Sequence, residues 1–131
     1  MFVAVNLIIL NDKNEIYLAK RNINEDVEPG KWGVPGGSVE PNESLEEALS
    51  REIKEETNCD ITEFHYFKSY VVNSVLAVYF YGKIKGQIKL NEESSEYKWY
   101  NKNEIPNELA FNQGEILKEF FLNTSKTVEI L

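Results

Sequence analysis

The stretch Gly37-Ser38-Val39-Glu40-Pro41-Asn42-Glu43-Ser44-Leu45-Glu46-Glu47-Ala48-Leu49-Ser50-Arg51-Glu52-Ile53-Lys54-Glu55-Glu56-Thr57-Asn58-Cys59 decides how the chain is read. Ser44 followed by Glu47 is a capping-box pattern, in which hydroxyl and carboxylate each satisfy an orphan N–H on the other residue. No glycine or proline interrupts the run from there to Thr57, so the spacing predicts a helix. Asn58 tolerates the left-handed conformation that closes helices. At roughly 100° per residue, Leu45, Ala48, Leu49 and Ile53 define the face that should pack on a sheet. Glu52 and Glu56 fall in the middle of that apolar arc and Glu55 borders it, while Glu43, Glu46 and Glu47 lie farther round.

Such a helix is locally at odds with itself. Glu52 and Glu56 are like charges one turn apart, which costs a few tenths of a kcal/mol. Acids in a last turn oppose the helix dipole by ~0.3 to 1 kcal/mol each. A glutamate-rich helix ordinarily presents a solvated face, and Glu47-Arg51 and Arg51-Glu55 pairs would lace one here. A bound divalent cation reverses the sign of each of these unfavourable terms. Magnesium takes carboxylate and carbonyl oxygens and shares its shell with substrate phosphates. One cysteine, Cys59, and one histidine, His65, do not make a zinc cluster or an intramolecular disulfide, so the expected metal is oxygen-bound. Cys59 itself reads as a small buried hydrophobe.

Outward from the helix, the chain reads as alternating strands and turns. Phe2 to Leu10 is apolar at both parities, as in a strand covered on both faces, and the polar turn Asn11 to Asn14 before Ile16 to Ala19 suggests a hairpin. Asn22 to Gly30 is irregular, and Trp32 to Gly37 is a short apolar run with a glycine-rich bend. Ile61 to Val72 and Val75 to Ile84, split by Asn73-Ser74, read as paired strands, the second buried on both faces. A short strand at Tyr97 to Tyr100 and a turn near Pro106 lead to a last helix. Asn112 with Glu115 forms a second capping-box pattern there, Phe111 and Ile116 occupy staple positions, and Ile116, Leu117, Phe120 and Phe121 make the apolar face. A sheet covered on both sides needs a layer on each, and two amphipathic helices supply them. The expected fold class is α/β, in one domain spanning residues 1–131.

The net charge of -8 is concentrated. Residues 38 to 56 hold seven glutamates against Arg51 and Lys54, and Glu92, Glu93 and Glu96 supply the rest of the imbalance. A nucleic-acid backbone is normally met by a basic stripe, so no nucleic acid is expected as partner. No apolar run approaches the ~20 residues of a membrane span, and no basic segment or cleavage site follows Met1, so a cytoplasmic protein without membrane contact is expected.

Gly37, five residues, Glu43, seven residues and then Arg51-Glu52-Ile53-Lys54-Glu55-Glu56-Thr57-Asn58-Cys59 closely resembles the Nudix box of the Nudix hydrolases, the superfamily that includes the MutT-type enzymes. Leu18-Ala19-Lys20-Arg21, Trp32 to Gly37, Glu93 to Trp99 and Pro106 to Glu115 extend the likeness over most of the chain. Asn58 departs from the usual glycine, a change the capping argument accommodates. The resemblance implies a Nudix fold, an α/β/α sandwich around a mixed β-sheet, and Mg2+-dependent hydrolysis of a pyrophosphate bond, with Mn2+ as a substitute. It implies metal binding by the Gly36 carbonyl, Glu52, Glu55, Glu56 and Glu93, with Glu96 competing for the last role. Glu52 is assigned as the base that activates water, Glu55 remaining an alternative, and Glu43 and Arg51 as the pair orienting the carboxylates. Arg21 and Asn112 match phosphate- or base-contacting positions of MutT-like members. The expected partner is a small nucleotide, first a nucleoside triphosphate and then a nucleotide sugar or ADP-ribose, bound by a monomer or homodimer. No proline occurs between Pro41 and Pro106, which lowers the ADP-ribose option. A nucleotide-sensing domain without catalysis is the alternative of another class, and the full set of charged box positions argues against it.

Overall fold

The computed structural model describes the backbone of residues 2–130 and the side chains of residues 2–123. Seven strands and two helices follow in the order β1 (Phe2–Ile9), β2 (Ile16–Arg21), β3 (Trp32–Gly33), β4 (Gly36–Ser38), α1 (Leu45–Thr57), β5 (Asp60–Val72), β6 (Val75–Lys85), β7 (Ser94–Tyr100) and α2 (Gln113–Ile130). One sheet has the order β4-β1-β6-β5 and is mixed, because β1 runs parallel to β6 and antiparallel to β4. The second, β3-β2-β7, is antiparallel.

Alternation along the strands divides the core into two layers. Val5, Leu7 and Ile9 of β1, Tyr17 of β2 and Val78 and Phe80 of β6 pack with Ala48, Leu49 and Ile53 of α1. Their neighbours Ile8, Ile16, Leu18 and Tyr79 point the other way, into a cluster with Ile116, Leu117 and Phe120 of α2. Strands apolar at both parities are thus covered on both faces, as their sequences require. Each aliphatic side chain removed from water here contributes about 1.5–3 kcal/mol. Leu45, counted on the apolar face from the helical wheel, is 39% exposed, and the burial of α1 begins one turn later at Ala48.

Two local expectations are corrected. The hairpin between the first two strands is reduced to a single bridge, Leu10 to Ile16, because both edges of β1 are already hydrogen-bonded, to β4 and to β6. The second capping box does not form among the described residues. Phe111 adopts a left-handed φ of 55° and its N–H donates to Glu28 Oε1 at 3.2 Å, so the chain enters α2 from a pinned turn, with Phe111 exposed instead of stapled.

Candidate active site

The helix that carries the acids is fixed at both ends. Ser44 Oγ accepts from Glu47 N and Glu47 Oε1 accepts from Ser44 N, both at 3.0 Å, so Glu47 belongs to the cap and not to Arg51. Asn58 closes the helix in the left-handed conformation, at φ 67°, and donates its N–H to Lys54 O. Between the caps, Arg51 grips Glu43 with two hydrogen bonds, Nε to Oε2 at 2.7 Å and Nη2 to Oε1 at 2.9 Å, and holds Glu52 Oε1 through Nη1 at 2.9 Å. Its Nη2 also donates to Ser38 O, tying the helix to β4. The guanidinium holds the Glu43 carboxyl down at about 2. The Glu43–Arg51 pair is therefore a brace between the loop, β4 and the first catalytic candidate.

Two glycines let the β4 backbone approach the acids. Gly36 N–H donates to Glu56 Oε2 at 2.8 Å, and a Cβ at Gly36 would stand 2.1 Å from Val5 O. A Cβ at Gly37 would fall 2.4 Å from the Glu52 carboxylate. A side chain at Gly36 would push the strand off β1, and one at Gly37 would displace the Glu52 carboxylate.

The acids sort by environment. Glu52 is largely buried, with 14% of its side chain exposed. Burial raises its pKa, the Arg51 contact opposes that, and the charges of Glu55 and Glu93 add to the rise. Glu56 is pushed well above the usual carboxylate range, first by burial and then by the charges of Glu52 and Glu93, with the Gly36 N–H and Arg21 pulling the other way. Glu55 is 53% exposed and 3.5 Å from Arg51. Glu93, on the turn before β7, is exposed but brings its field onto both Glu52 and Glu56. Glu96 lies on β7 opposite Lys20, with which it pairs at 3.9 Å. Thus Glu52, Glu56 and Glu93 interact electrostatically and Glu96 does not join them. Among the described residues, no three acidic, histidine or cysteine side chains converge tightly enough to cage an ion unaided. The donor set is nevertheless all hard oxygen around a half-buried carboxylate, which fits a divalent cation that keeps waters and substrate oxygens in its shell.

Beside these acids opens a shallow cleft with a cavity volume of about 40 Å³, lined among others by Tyr17, Arg21, Val34, Glu56, Phe111 and Gln113. Arg21 reaches it from the end of β2, its Nε anchored to Val27 O at 2.8 Å and its guanidinium 5.9 Å from the centre of the Phe111 ring. Asn112 is exposed and does not line the cleft, whereas its neighbour Gln113 does. Gln113 Oε1 accepts from Val34 N at 2.9 Å and Nε2 donates to Tyr79 OH at 3.3 Å, so the buried amide fixes the cleft wall. Sequence reasoning missed Gln113 and Tyr17. A helix start gives no signal of which of two adjacent amides turns inward, and Tyr17 reads simply as a strand aromatic. Its hydroxyl is buried without a hydrogen-bond partner among the described residues, a state that costs about 1–3 kcal/mol.

The NUDIX domain family model matches residues 1–120. The chain is 34% identical to an ADP-ribose pyrophosphatase of Methanocaldococcus jannaschii, over 90% of this chain and 72% of that protein. It is 33% identical to the nucleoside triphosphatase NudI of Escherichia coli K12, over 70% of this chain and 76% of that one. The crystal structure of a MutT protein from Methanosarcina mazei superposes with a TM-score of 0.80 at 30% identity, covering 94% of each chain. With a mixed sheet between two helices, a Nudix box in place and relatives of this kind, the chain belongs to the Nudix hydrolases, enzymes that act on phosphorus anhydrides.

Proposed function

We propose that this hydrolase works with Mg2+, replaceable by Mn2+, on a nucleoside triphosphate, releasing the monophosphate and pyrophosphate. The observation that carries this reading is Glu56: a half-buried carboxylate, held by the Gly36 N–H and crowded electrostatically by Glu52 and Glu93, whose burden a cation relieves. Glu52, Glu56 and Glu93, with the Gly36 carbonyl and the more exposed Glu55, would hold the ion. An ion held there would supply neutralisation of the diphosphate and polarisation of the phosphoryl group. Glu52, oriented by Arg51, would take the proton from the attacking water. Arg51 fixes the direction of Glu52 through the 2.9 Å bond while Glu43 neutralises Arg51 from behind. Glu55, more exposed, is the alternative base. Arg21 on the cleft wall meets a phosphate, and the exposed Phe111 ring beside it offers a flat apolar surface to a base. Asn112, a step outside the cleft, would reach a bound base only from its rim.

The triphosphatase NudI supports the triphosphate reading. The ADP-ribose pyrophosphatase, similar over more of the chain, supports ADP-ribose as the second reading. A screen with magnesium over nucleoside triphosphates, nucleotide sugars, dinucleoside polyphosphates and ADP-ribose, with phosphate read after inorganic pyrophosphatase for the triphosphates and after alkaline phosphatase for the others, tests both. Turnover should be highest on a triphosphate and fall by ~10² to 10⁴ in Glu52→Gln. Preference for ADP-ribose overturns the triphosphate assignment, and full activity of Glu52→Gln overturns the assignment of the base.

A further inference from the structure

Resting on that reading of the metal site, we infer that Tyr17 is a positioning residue for it: its hydroxyl donates a hydrogen bond to the Glu56 carboxylate once a cation draws that carboxylate into place.

Tyr17 is 1% exposed and its hydroxyl has no partner among the described residues. Chains rarely keep a buried hydroxyl in that state, since all the desolvation is suffered and no bond is gained. Its ring is not free to turn away and find another partner. β2 is hydrogen-bonded on both edges, to β3 and β7, and Tyr17 stands opposite Trp99 in the ladder. Tyr97 stacks on the ring at 5.5 Å and Trp99 meets its edge at 5.7 Å. Tyr17 and Glu56 line the same cleft. Glu56 accepts through Oε2 from Gly36, while Oε1 makes no hydrogen bond among the described residues. Burial and then the Glu56 charge push the tyrosine proton to higher affinity, so the hydroxyl stays a donor at neutral pH. Of this pair the tyrosine is fixed, and the glutamate, on three rotatable bonds near the end of α1, is the partner that moves. Carboxylates that ligate metals are characteristically held by such an outer hydrogen bond, and its loss weakens metal binding by about 10–100-fold.

The test is Tyr17→Phe, which keeps the ring and removes the hydroxyl. Mn2+ affinity is measured from the electron paramagnetic resonance signal of the free ion, and melting temperature is recorded without metal. The expected result is at least a 10-fold weaker Mn2+ affinity together with an unchanged or higher metal-free melting temperature, and turnover restored by excess Mg2+. Equal Mn2+ affinity in the two proteins overturns the inference alone. A lower metal-free melting temperature also overturns it, since it assigns the hydroxyl a structural bond. Failure of the unsubstituted protein to bind Mn2+ overturns the metal reading beneath it.

Discussion

Glu56 is a carboxylate in a place that disfavours its charge, and its titration therefore couples to stability. Burial raises its pKa above the ordinary 4.5, so the folded form holds the proton more tightly than the unfolded form. The stabilisation from that proton is complete below about pH 4.5 and is lost as pH rises through the raised value in the folded state. Metal-free protein should lose melting temperature across that window, and Glu56→Gln, uncharged at every pH, should flatten the loss. At pH 7.5 without metal the variant is expected to melt at or above the parent, while only the parent gains fully from magnesium. A variant that melts lower at every pH would make Glu56 a structural residue. Glu43 acts in the opposite sense: Arg51 lowers its carboxyl to about 2, so its contribution is present above pH 4.5 and disappears as pH falls toward 2. The conflict at Glu56 was legible in the sequence, because a helical wheel puts its carboxylate on the apolar face. Tyr17 and Gln113 were not, since the place of Tyr17 comes from β2 meeting α1 and that of Gln113 from the start of α2 meeting Val34 and Tyr79.

Elements whose ends are written locally were the legible ones. α1 has both its caps in the sequence, and both form as read. Ser44→Ala should accordingly cost about 1 kcal/mol in urea unfolding while leaving turnover at saturating magnesium close to that of the parent. A loss within error of zero would mean that packing alone defines the helix start. The long strands β1, β5 and β6 were equally readable from their β-branched and aromatic runs. β3 and β4, two and three residues long, were not, for they exist only through pairing with distant strands. α2 carried a capping-box pattern that its chain does not use, because the hydrogen bond from Phe111 to Glu28, 83 residues away in sequence, sets the turn instead. A local pattern yields where a long-range contact fixes the backbone first.

At the scale of the molecule, the fold holds apart two charge environments that the site needs side by side. The mixed sheet and α1 place Glu52 and Glu56 against the β4 backbone, while the second sheet brings Arg21 and the turn bearing Glu93. On the function proposed above, a phosphate chain in the cleft would meet a cation at one end and a guanidinium at the other. No described helix is long and apolar enough to cross a membrane. The excess of acid around α1 has a local purpose in this account: it concentrates cations where the backbone of Gly36 and Gly37 comes closest to the helix. Diffraction from crystals soaked in manganese, with the anomalous signal used to find the ion, tests that idea most directly. A peak is expected about 2 Å from carboxylate oxygens of both Glu52 and Glu56. Ordered Glu52 and Glu56 side chains with no peak between them, at manganese concentrations that support turnover, would contradict it.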